Sequence, residues 1–142
     1  MSLLSDVCEK TLKAYGALER SYARIQGITS DPLLLSHDEE EKWEAYCSRF
    51  ARLQDILVKR FFRSLALEDD PAWSGSVRDL LNLMEKKHII ASSKEWMSLR
   101  ELRNEMAHEY EESALLALHE RARLAAPLIL AVKIKVLEHA SR

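Results

Sequence analysis

Arg103, Asn104 and His108 stand within six residues of one another, with Tyr110 two places on and Arg100 three places before. Breaking an RNA phosphodiester needs a base for the 2′-hydroxyl proton, an acid for the leaving oxygen and a cation for the crowded phosphate, with no obligatory metal. An imidazole moves protons near neutral pH. A guanidinium grips phosphate oxygens with two parallel hydrogen bonds and stabilises charge in the transition state. Arg103 and His108 therefore read as candidate catalytic residues. Asn104 would orient the histidine or donate to the phosphate, and Arg100 is a further candidate phosphate contact. One histidine serves one proton role at a time, so two such motifs meeting across a dimer axis would supply both.

These residues need a helix to position them. At about 100° per residue, Leu102, Met106, Leu99, Tyr110, Arg103 and Trp96 fall in one arc of roughly 120°. Arg103 thus sits inside an apolar stripe, where an unpaired cation is too costly to keep, so it must have a partner or line a cleft. On the same wheel Arg100, Asn104 and His108 form a row at i, i+4 and i+8, if the helix extends that far. Ser92 and Glu95 read as a capping box that starts this helix.

The remaining elements follow from periodicity. Leu4, Val7, Ala14, Leu18, Tyr22 and Ile25 predict a first helix from Leu4 to about Ile28, with a polar lapse at Thr11, closed by Gly27 and Asp31-Pro32. Trp43, Tyr46, Phe50, Leu53, Leu57, Phe61 and Leu65 predict a central helix of about 30 residues, begun by the acidic run Asp38 to Glu41. Val77, Leu80, Leu81 and Met84 mark a shorter helix after the break at Asp70-Pro71 and Ser74-Gly75. The last helix should run from about Ser113 to His139, kinked by Pro127. The expected fold is all-α, an up-and-down bundle of four or five helices in a single domain spanning 1–142.

Composition narrows the function. A formal charge of −2, with 21 basic and 23 acidic residues interspersed, argues against coating a nucleic-acid duplex, yet allows a few placed cations to hold one or two phosphates. Cys8 and Cys47 lie on apolar stripes and read as inert thiols in a reducing compartment rather than a disulfide pair. His37, His88, His119 and His139 have no partner at metal-ligand spacing and are expected at the surface, so neither metal nor cofactor is expected. Trp43, Trp96 and Phe61-Phe62 are expected to pack in the core or at a dimer contact rather than stack bases. Neither a secretory leader nor an apolar run of about 20 residues is found, which predicts a cytoplasmic protein without a membrane contact.

Arg103-Asn104-x-x-x-His108-x-Tyr110 resembles the RNxxxHxY form of the Arg-x4-6-His motif of HEPN domains. The flanking Ile89-Ile90, Trp96 and Glu111-Glu112, and the long aromatic central helix, are similar to those of the small HEPN proteins encoded beside minimal nucleotidyltransferases. The resemblance implies a four- or five-helix bundle, usually a homodimer with the motif of each subunit near the interface. It further implies a metal-independent ribonuclease toxin with Arg103 and His108 catalytic and Asn104 supporting. The partner would be a cognate nucleotidyltransferase antitoxin able to adenylylate Tyr110. Other members of the family are non-catalytic, substrate-binding partners of the nucleotidyltransferase, and that reading stands as the alternative.

Overall fold

The computed structural model describes residues 3–108 and 112–141, and every element in them is helical. α1 (Leu3–Ile25) ends where Gly27 takes a positive φ of 78°, a left-handed conformation open to glycine without steric cost. Thr11, the polar lapse in its stripe, is fully buried and gives its hydroxyl to the Val7 carbonyl at 2.6 Å, so the helix itself satisfies the misfit. Asp31 then caps a short 3-10 turn (Pro32–Leu34).

α2 (His37–Ile56) starts on a reciprocal cap, Ser36 accepting from the Glu39 amide while Glu39 accepts from that of Ser36. It runs without interruption through a π-helical segment (Leu57–Phe62) into α3 (Arg63–Asp69), the expected long central helix in one rod. The paired apolar residues Leu57-Val58, Phe61-Phe62 and Leu65-Ala66 are all buried. In sequence they suggested a face wide enough for an oligomer contact. Here they fill the chain's own core, and a π segment is what the doubling reflects.

α4 (Val77–Lys86) opens on a second reciprocal cap between Ser76 and Asp79. α5 (Ser93–Met106), which carries the motif, has only half of its expected box. Ser92 accepts from the Glu95 amide at 3.2 Å, but the Ser93 amide is taken by Glu85 from α4, not by a returning Glu95 carboxylate. The last expected helix is divided into α6 (Glu112–Leu130) and α7 (Lys133–Ala140), with the break at Ala131-Val132, four residues beyond Pro127. The Tyr15 hydroxyl donates to Ile129 O at 2.7 Å, satisfying a carbonyl just ahead of that break.

Side-chain pairs fix the directions. Tyr22 with Tyr46 and Ser21 with Arg49 make α1 and α2 antiparallel. Phe62 with Trp96 and Asp55 with Arg103 do the same for α2 and α5. Trp43 with His119 and Tyr46 with Ala122 set α6 in the same sense as α2. The result is an all-α up-and-down bundle with α4 as a short fifth member. Its core is aromatic, with Tyr15, Trp43, Tyr46, Phe50, Phe61, Phe62 and Trp96 nearly or wholly sealed from solvent. None of the helices among the described residues is long and apolar enough to cross a membrane.

Candidate functional site

α5 lays Trp96, Leu99 and Leu102 into the core and carries Arg103 on the edge of that stripe, half-buried. The partner its position demands is Asp55, from the middle of the central rod. Arg103 Nε and Nη2 donate to the two carboxylate oxygens of Asp55, each at 2.8 Å, a planar bidentate pair. These bonds raise the guanidinium pKa further above its ordinary value, against a smaller opposing effect of burial. A guanidinium has five N–H donors, and Asp55 takes two. The other three remain for whatever enters the adjoining cavity.

That cavity, of about 1000 Å³, lies between α1, α2 and the end of α5, with Arg103, Met106 and Ala107 on one wall. Lys10 and Lys13 of α1 face it, as do Arg52, Lys59 and Arg60 from the central rod. Asp55 and Glu44 are the carboxylates in its lining, so positive charge dominates once Asp55 is cancelled by Arg103. A smaller cavity of about 280 Å³ on the other side of Arg103 brings together Arg100, Asn104, Asp55 and Lys59. Gln54 also lines it, and the Gln54 side-chain amide nitrogen is buried without a hydrogen-bond partner among the described residues.

Arg100, Arg103 and Asn104 are therefore brought together, as the wheel predicts. His108 is not part of that row. α5 ends at Met106, with Ala107 as its C-cap, and the His108 amide turns back to the Glu105 carbonyl at 3.1 Å. His108 is exposed and lines a separate hollow of about 490 Å³, with Met106, Glu44, Cys47, Leu115 and His119. Met106, Glu44 and Cys47 border both this hollow and the cation-lined cavity, so the two adjoin across those side chains. Tyr110 lies outside the described residues, and so do the neighbouring Glu109 and Glu111.

His119 departs from its expected surface position. It is buried and stacked on Trp43 at 4.2 Å between ring centroids, with Nδ1 3.0 Å from the Ser30 carbonyl, and burial together with Arg123 holds its pKa below the ordinary imidazole value. A carbonyl can only accept, so Nδ1 carries the proton. The Arg123 guanidinium lies against the same Trp43 ring, 4.8 Å from its centroid, and donates to the Ile25 and Ile28 carbonyls at the end of α1. His139 is half-buried, edge-on to Phe61, while His37 and His88 are exposed as expected.

Cys8 is buried, whereas Cys47 is only partly covered, at the border of the two hollows. Burial pushes the Cys47 thiol up to about 12, which leaves it almost entirely protonated at neutral pH. Among the described residues no three His, Cys, Asp or Glu side chains are grouped as a metal ion would require. No family model matches the chain, and no curated protein or solved structure matches it.

Proposed function

We propose that the chain is a HEPN-type ribonuclease toxin, acting as a homodimer and neutralised by a minimal nucleotidyltransferase partner that adenylylates Tyr110. The observation that carries this reading is Arg103, held in a fixed orientation by Asp55 on the wall of a cation-lined cavity, with three guanidinium donors left over. In this reading a 2′-oxygen loses its proton to His108 and attacks phosphorus, and the bond to the 5′-oxygen breaks as that oxygen takes up a proton. Arg103 grips the non-bridging oxygens, with Arg100 and Asn104 beside it. The second proton carrier is the His108 of a second copy, a division of labour that suits an exposed histidine at the end of a helix.

The test is cleavage of a labelled RNA in EDTA by the wild-type chain, Arg103→Lys and His108→Ala, alongside growth arrest on expression without the partner. Loss of both activities in the two variants, with melting temperatures retained, is the expected outcome. Variants as active as wild type would refute the assignment. A second reading, a non-catalytic partner that presents substrate to the nucleotidyltransferase, is favoured by one observation: His108 and Arg103 line different hollows. RNA left intact by a chain that binds the nucleotidyltransferase tightly would decide for it.

A further inference from the structure

We propose that the groove between α1 and the central rod is a binding track for the phosphate backbone of single-stranded RNA, leading from Arg20 and Arg49 to Arg103. The cation-lined cavity does not end at the motif. A further hollow of about 350 Å³ continues it along α1 and α2, sharing Lys13 and Arg52 and adding Arg20 and Arg49. Together the two hollows hold eight of the chain's 21 cations and two of its 23 carboxylates. The rest of the chain is left with 13 cations against 21 carboxylates. A net charge near zero thus conceals a strong segregation, and a groove lined by one sign of charge concentrates counter-ions of the other.

The cations are also free to act. Among the described residues, none of Lys10, Lys13, Arg52, Lys59 and Arg60 is in a salt bridge, whereas Lys133, Arg121 and Lys87 elsewhere on the surface each hold a carboxylate. From Arg49 to Arg60 the wall is about 16 Å long at the helical rise, room for several consecutive phosphates. Neither hollow is lined by an aromatic side chain. Bases therefore have no stacking platform here, and recognition goes through phosphates, which predicts little sequence preference and a steep dependence on salt.

The choice of RNA rests on the reading under Proposed function, but the experiment separates the two. Binding of a fluorescein-labelled single-stranded RNA of about 16 nucleotides is measured by polarisation in EDTA, in a His108→Ala background that removes cleavage. Lys13→Glu with Arg52→Glu is expected to weaken binding by at least about tenfold and to reduce the slope of log affinity on log salt by about 0.7 for each phosphate no longer neutralised. Arg78→Glu with Lys94→Glu, two exposed cations outside both hollows, should change it less than about twofold. If the first pair prevents folding, Lys13→Gln with Arg52→Gln replaces it. Equal affinity for both pairs overturns the track, as does binding of polyglutamate but not RNA. RNA bound through these cations by a wild-type chain that never cleaves it supports the track while removing the nuclease reading.

Discussion

Asp55 and Arg103 are 48 residues apart, and the bond between them is the strongest test of how the motif is held. Replacing Asp55 by Ala removes both 2.8 Å bonds and leaves a guanidinium whose side chain is only 27% exposed. Hydrogen bonds to charged groups contribute about 1.5–3 kcal/mol. Partial exposure of both side chains and salt screening lower the expectation to about 2 kcal/mol for the pair. In a chain of this length that corresponds to a fall of about 6 °C in melting temperature. Arg103→Met keeps the apolar stem that lies along Leu99 and Leu102, so the two single variants and the double variant form a clean cycle. The expected coupling is about 1.5 kcal/mol by denaturant titration, largely retained at about 0.5 M salt because the pair is half-buried. A coupling below about 0.5 kcal/mol, the level of an ordinary surface pair, would refute the claim that Asp55 fixes Arg103.

The buried Tyr46 hydroxyl donates to the Ala122 carbonyl at 2.6 Å, so Tyr46→Phe should cost about 1–2 kcal/mol in chemical denaturation; no loss would mean that water replaces the bond. His119 binds its proton less readily folded than unfolded. Its contribution is therefore present above the ordinary imidazole value near 6.5 and is lost as pH falls below it towards the folded value. His119→Phe, which keeps a ring against Trp43, should flatten the decline in melting temperature below about pH 6.5; an unchanged decline would assign it to another group. Native protein should react with an aromatic disulfide reagent at neutral pH far more slowly than unfolded protein, because both thiols are raised. A fast reaction of one thiol in the native state, traced to Cys47 by Cys47→Ser, would contradict its burial.

Much of this architecture is legible in the order of residues because it depends on local rules. The stripe from Trp43 to Leu65 and the serine caps before the helices act within a turn or two of the chain. The need for a partner at Arg103 is readable for the same reason, since the wheel alone places a charge between apolar neighbours. The identity of that partner is not, because Asp55 reaches it only through the packing of α2 on α5. The row from Arg100 to His108 fails at its end because a wheel assumes an unbroken helix, and neither glycine nor proline announces the stop at Ala107. His119 carries no local sign of burial; only the approach of α6 to Trp43 and Ser30 makes it a core residue. The cationic groove is hidden most thoroughly, since its charges are scattered along two helices among acids that turn elsewhere.

The π segment at Leu57–Phe62 is also a matter of counting. A helix that closes its turns on the fifth residue holds one residue more than a straight path needs, so the rod carries an insertion that its core has absorbed. Deleting any one residue there would restore ordinary winding and turn everything beyond it by about 100°. Leu65 and Ala66 would leave the interior, and Arg63 and Asp69 would lose their alignment with Trp73 and Lys87. The middle of the longest rod is thus the place where the length of the chain, more than the chemistry of any side chain, is held fixed.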